Sequence, residues 1–151
     1  MLKKTITYTD YDGVKRTENF YFNLNKAELM DMELTTPDGG LRNRLRAIMD
    51  KRDIPGIIRT IKEFILAGFG EKSADGRKFV KSKALSEAFM QTEAYSELYM
   101  ELISDANATA AFINGMIPEE LRTNLNDEAS KKETPENVSL LSDAVTGENN
   151  E

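Results

Sequence analysis

A switch in apolar period near the start of the chain constrains the fold more than any other feature. Residues 3–9 run Lys3, Lys4, Thr5, Ile6, Thr7, Tyr8, Thr9, with β-branched and aromatic residues at period two. That pattern reads as a strand. Asp10-Tyr11-Asp12-Gly13 comes next, and an Asp-Gly pair can adopt the positive φ angles of a tight turn. Residues 14–22, VKRTENFYF, then read as the returning strand. Two strands alone are marginal in water, so something must cover one face of this hairpin.

The cover comes from the segments after residue 24, where the period changes to that of a helix. Asn25 is a good N-cap with Glu28 in capping-box position, which predicts a helix from Lys26 to about Glu33. Thr36-Pro37-Asp38-Gly39-Gly40 breaks the chain. Leu41, Leu45, Ile48 and Met49 predict a second helix to about Arg52. Asp53 caps a third, with Pro55 in its first turn. Its face of Ile57, Ile58, Ile61, Phe64, Ile65 and Leu66 is the most apolar in the chain, and Gly70 is the expected stop. Residues 71–78, EKSADGRK, read as a polar loop, with Phe79 and Val80 packing down after it.

Ser82 then caps a helix carrying Leu85 and Phe89, and Thr92 caps another. The second has the stripe Tyr95, Leu98, Tyr99, Leu102 and Ile103. Ala110, Ala111, Phe112, Ile113, Met116 and Ile117 predict a last helix ending near Pro118, with residues 119–126 adding a turn. From Asp127 aromatics vanish and Glu, Asn, Ser, Lys and Thr dominate, which predicts a disordered tail. The expected fold is α+β: an N-terminal β-hairpin packed on a bundle of about five short helices. It forms one domain over residues 1–126, with an acidic tail over 127–151.

Composition narrows the chemistry. The 151 residues include no His, no Cys and no Trp. The commonest general acid/base and the commonest transition-metal ligands are therefore missing. A thiol nucleophile, a Ser-His-Asp triad and a Cys/His zinc site are excluded. No apolar run approaches about 18 residues, and no apolar segment follows Lys3 and Lys4, so neither a membrane span nor a signal peptide is expected. Residues 118–151 hold nine acidic and three basic residues, the whole of the chain's net charge of −6. A neutral body with an acidic tail is a poor general partner for nucleic acid.

The remaining constellations have plain structural readings. Asp10, Asp12 and Gly13 resemble the opening of a calcium loop, but the twelfth position is Tyr21, where such a loop needs Glu. Glu28, Asp31 and Glu33 suit the N-terminal half of a helix better than a catalytic pair. Ser82 lies between Lys81 and Lys83, with no sign of a buried lysine. No catalytic residue, metal ligand or cofactor is expected. Arg42, Arg44, Arg46 and Arg52 head a basic stretch that reads first as a solvated helix face, and second as a patch for an acidic partner or for the acidic tail.

Met30, Met32, Met49, Met90, Met100 and Met116 lie in or near predicted helices. They read as core filling, or as a pliable groove for apolar helices. Candidate partner-binding residues are Met100, Phe112, Met116, Ile117 and Leu121. An apolar island at Val138, Leu140 and Leu141 in the tail is a further candidate.

The running text resembles a known family. KTITYTDYDGVKRTENFYFNLNKAELM at residues 4–30, GEKSADGRKFVKS at 70–82, LSEAFMQTEAYSELYMEL at 85–102 and AAFINGMIP at 110–118 are similar to tail assembly chaperones of long-tailed phages of Gram-positive bacteria. The likeness covers residues 3–118 and carries no catalytic signature. It implies a non-enzymatic protein of the host cell cytoplasm. Such a protein binds the phage tape measure protein, keeps that long helical chain soluble, and promotes assembly of the tail tube around it. The implied partners are the tape measure protein and the major tail tube protein, with a homo-oligomer also possible. The alternative is a structural virion protein, a tail-completion or head–tail connector subunit.

Overall fold

The computed structural model describes residues 1–120. Within it, Met1–Pro118 form one compact unit. A second unit, Glu119–Glu151, lies almost entirely outside the described residues, as does the expected boundary at residue 126.

The N-terminal hairpin is β1 (Leu2–Thr9) and β2 (Lys15–Phe22), antiparallel, in a register that places Leu2 opposite Phe22 and Thr9 opposite Lys15. Asp10 makes the turn. Its Oδ1 accepts the backbone N–H of Asp12 and of Val14, each at 2.9 Å, while Gly13 takes φ +82°. Arg16 Nε donates to Asp10 Oδ2 at 2.5 Å, and these bonds hold the Asp10 carboxyl below the usual carboxylate range. Along β1 the even positions turn inward, with Ile6 buried and Leu2, Lys4 and Tyr8 half-buried. The odd positions Lys3, Thr5, Thr7 and Thr9 are exposed. Period two has therefore done what it predicts: one face is apolar and the other is wet.

Among the described residues six helices come after the hairpin, where about five were expected. They are α1 (Lys26–Thr35), α2 (Leu41–Asp50), α3 (Ile54–Gly68), α4 (Lys83–Met90), α5 (Glu93–Ser104) and α6 (Ala106–Met116). Their starts are set by local chemistry. Asn25 and Glu28 form the reciprocal capping box, and Asp53, Ser82, Thr92 and Asp105 each accept from a first-turn amide. α3 ends two residues before the expected stop at Gly70 and runs directly into a strand.

That strand is the main departure from the sequence reading. Residues 71–78 are not simply a polar loop: β3 (Phe69–Lys72) and β4 (Phe79–Val80) form a second antiparallel hairpin. It extends the sheet to four strands in the order β1-β2-β3-β4. Its turn repeats the chemistry of the first. Asp75 Oδ1 accepts from Ser73 Oγ at 2.7 Å and from the Arg77 N–H at 3.0 Å. Gly70 is needed for the close approach of β4. A Cβ built there would sit 2.6 Å from the Phe79 ring and 2.8 Å from the Val80 carbonyl oxygen.

The core lies between the inner sheet face and α3, α5 and α6. Phe22 is fully buried, with its ring centroid 5.7 Å from that of Phe69, 5.8 Å from Phe89 and 5.0 Å from Phe112. Phe69 and Phe89 stack at 4.3 Å. Ala94, Leu98 and Leu102 of α5 and Ile61, Phe64 and Ile65 of α3 complete the packing.

Two outcomes are expected. Gly70→Ala forces β4 away from β3 and destabilises the chain by about 1–3 kcal/mol, the usual range for overpacking, measured by denaturant unfolding. Asp10 has a lowered pKa in the folded state, so its contribution is present above the unfolded value of about 4 and is lost as pH falls through the lowered one. Asp10→Asn should therefore lower Tm at pH 7 and reduce the loss of Tm between pH 5 and pH 2.5 in a calorimetric titration.

Candidate partner-binding surface

α1 is the helix least committed to the core. None of its residues is buried. Leu29 and Met32 are half-buried and pack inward. On the other side Ala27, Met30 and Leu34 stand at offsets of 3 and 7, one helical stripe, and all three are exposed. Met30 is 57% exposed and Leu34 73%. At the N-terminal end of this stripe lies an open groove of about 480 Å³, lined by Asn23, Leu24, Asn25, Lys26, Ala27 and Pro118. Exposed apolar residues in a row, continuous with a groove, are the kind of surface that marks a protein contact.

Polar bonds hold α1 in place. Asn25 N–H donates to Glu28 Oε1 at 2.9 Å, and Glu28 N–H donates to Asn25 Oδ1 at 2.9 Å. Lys81 Nζ donates to Glu28 Oε2 at 2.8 Å and to the Asn23 carbonyl at 2.5 Å, tying the start of α1 to the segment after β4. Glu33 Oε1 accepts the Arg42 amide at 3.2 Å. Two members of the acidic group Glu28, Asp31 and Glu33 thus have structural partners, and Asp31 is exposed. Among the described residues no group of three acidic side chains is placed to hold a metal ion.

The other sequence candidates separate. Met100 is exposed at 54%, and Ile103 beside it on α5 is exposed at 36%. Phe112, Met116 and Ile117 are buried, so they hold the core and present no surface to a partner. Phe112 packs on Phe22, and Met116 lies against Gly68. An apolar stripe on a helix has the same spacing whether it faces its own core or another chain, which is why sequence could not separate the two. Leu121, Val138, Leu140 and Leu141 lie outside the described residues.

The arginines do not share one face. Arg44 turns to Glu63 on α3 in an ion pair, while Arg42 and Arg46, four residues apart, are exposed on another side of α2. Arg52 sits after the helix with φ +51°. Of the α1 stripe the sequence reading named only Met30, as part of a pliable groove, because α1 is apolar on both sides and its apolar residues give no one-sided pattern. The signal that could have found it is Ala27-Met30-Leu34 read as a second stripe beside Leu29-Met32.

A family model described as phage tail assembly chaperone matches residues 1–150. The chain belongs to that family. Comparison with curated proteins and with solved structures gives no match. Membership of the family points to phage tail proteins as partners, and the exposed apolar residues of this chain include the α1 stripe and a pair on α5. Among its described residues no helix is long and apolar enough to cross a membrane.

Leu34→Glu should change stability by no more than about 0.5 kcal/mol, because the side chain is not part of the core. Leu98→Ala on α5 should cost about 2–5 kcal/mol. Chemical denaturation of both variants checks the contrast, and binding of an apolar dye should fall only in the Leu34 variant.

Proposed function

We propose that this tail assembly chaperone binds the tape measure protein in the host cytoplasm, keeps it soluble, and releases it as tail tube subunits assemble. The observation that carries the reading is the Ala27-Met30-Leu34 stripe, left open to solvent on a helix whose other side is already packed. A long helical client exposes apolar stripes before it is enclosed, and these aggregate. Laying one stripe against another removes both from water, at about 25 cal/mol per Å² before the costs of association. Methionine at the centre of the stripe adapts to clients of varying shape. The chemistry required is binding alone, which suits a chain without His or Cys.

Co-expression tests it. The tape measure protein made alone should be found mostly in the insoluble fraction. Made with this chain it should be soluble and co-elute with it on size exclusion. Met30→Glu combined with Leu34→Glu should abolish the rescue while leaving the chaperone folded. An insoluble tape measure protein in the presence of the wild-type chain, with no complex, would sink the proposal.

A further inference from the structure

β1 is an outer strand of the sheet, and among the described residues it pairs only with β2. In an antiparallel pair, opposed residues alternate between those that exchange backbone bonds and those that do not. The Asp10 N–H donates to the Val14 carbonyl at 2.9 Å, which sets the phase of that alternation. The even residues of β1 therefore bond to β2. Lys3, Thr5, Thr7 and Thr9 direct their N–H and C=O groups outward, along the open edge. The register from Leu2 to Thr9 is unbroken, and β1 holds no proline or glycine. Protein edges are usually blunted by charge, proline or a bulge. Here the only charges are Lys3 and Lys4 at one end, and the stretch from Thr5 to Thr9 has none.

The surroundings of the edge say what fits it. α5 lies beneath β1 and runs antiparallel to it. Lys4 Nζ donates to Glu101 Oε2 at 2.7 Å near the start of β1, and at the hairpin tip Glu93 lies close enough to the Tyr11 hydroxyl to push its pKa up. Ala94, Leu98 and Leu102 face the sheet. Tyr95 leans to one flank, edge-on to Phe89, which contacts Phe20, Phe22 and Phe69 of β2 and β3. By helical spacing the opposite flank, on the side of the open edge, carries Glu93, Glu97 and Glu101; Glu97 is exposed, and Glu101 shares its carboxylate with Lys4. Their spacing of four residues is about 6 Å along a helix. Same-face side chains on a strand recur every two residues, about 6.6 Å. The two repeats nearly match over the two steps from Glu93 to Glu101.

We propose that the open edge of β1 accepts an extended segment of a partner protein as a fifth strand, and that this segment carries Lys or Arg at alternate positions facing Glu93, Glu97 and Glu101. Main-chain bonds to Lys3, Thr5, Thr7 and Thr9 supply the pairing, and the acidic row supplies the selection. A second copy of this chain fits less well. Pairing β1 with another β1 about Ile6 brings two acidic rows side by side, with Glu97 against Glu97. The site lies on different elements from the α1 stripe and does not depend on tape measure binding.

The test uses the full-length chain and a labelled, acetylated eight-residue peptide of alternating lysine and valine, read by fluorescence anisotropy at low ionic strength. The controls are an alternating glutamate–valine peptide and a lysine–valine peptide N-methylated at alternate residues. Thr7→Pro removes one outward N–H and no backbone bond to β2, and of the cross-strand side-chain bonds it gives up the Thr7–Thr17 hydroxyl pair. Glu97→Lys reverses the central charge on an exposed helix position. Each variant and each control peptide should weaken binding by about tenfold or more. Circular dichroism checks the fold of both variants. If Thr7→Pro fails to fold, Glu97→Lys and the N-methylated peptide carry the test. Equal binding by wild type and both variants would mean that only the net charge of the chain attracts the peptide, and would overturn the proposal. So would no binding of the lysine–valine peptide, or a concentration-dependent dimer in sedimentation that Thr7→Pro abolishes.

Discussion

The burial of Phe22 is the interaction on which the rest of the structure depends. It is the last residue of the first hairpin, and its ring touches Phe69 at the start of β3, Phe89 at the end of α4 and Phe112 in α6. Three distant parts of the chain thus meet on one side chain. The backbone just after it repeats the connection. Asn23 N–H donates to the Gly68 carbonyl at 2.8 Å, and Leu24 N–H donates to the Met116 carbonyl at 3.0 Å. A ring of this size fully withdrawn from water typically contributes several kcal/mol, comparable to a large share of a small domain's net stability. The hairpin could not stand alone, and Phe22 is the residue through which it does not have to.

Packing on one side of the sheet leaves the other side and one edge to solvent. The outer face carries Lys3, Thr5, Thr7 and Thr9 across from Tyr21, Asn19, Thr17 and Lys15. Thr5 Oγ1 donates to Asn19 Oδ1 at 2.7 Å, and the Thr7 and Thr17 hydroxyls pair at 2.9 Å. These cross-strand bonds let a polar face hold its register without a second layer over it. The fold therefore keeps its stabilising contacts inside a single layer of helices and leaves the outer sheet face and one edge uncovered among the described residues.

Much of this was legible in the sequence, and the limits have physical causes. The first hairpin could be read because each strand is eight residues long, enough for period two to show, and because Asp10 and Gly13 mark the turn. The helix starts were legible because a cap is a local bond between a side chain and an amide a few residues away. The second hairpin was not. β4 is two residues long, too short to carry a period, and β3 owes its place to pairing with β2, a contact made across about fifty residues of chain. Gly70 was read as a helix stop, when its role is to let Phe79 and Val80 come close. The burial of three candidate partner residues was hidden for a similar reason. Phe112, Met116 and Ile117 lie on an amphipathic face, and nothing local says that the face is filled by Phe22 and Gly68. Only the three-dimensional arrangement separates a stripe that is used from one that is free.

That distinction bears on how α1 can be both folded and available. Helices are usually fixed by burying one face, and their stability is then bound up with the core. α1 is fixed mainly at its polar points: the capping box at Asn25 and Glu28, the Lys81 bond to Glu28, and the Arg42 amide on Glu33. Hydrogen bonds that involve a charged group contribute about 1.5–3 kcal/mol each in favourable settings, and less where water competes. Several together can hold a ten-residue helix whose apolar burial is only partial. Its outer stripe then carries no structural duty. A partner that covers Ala27, Met30 and Leu34 displaces water and breaks no contact of the core, and its departure leaves the core as it was. A surface of that kind suits a protein that must hold a client for a time and then give it up.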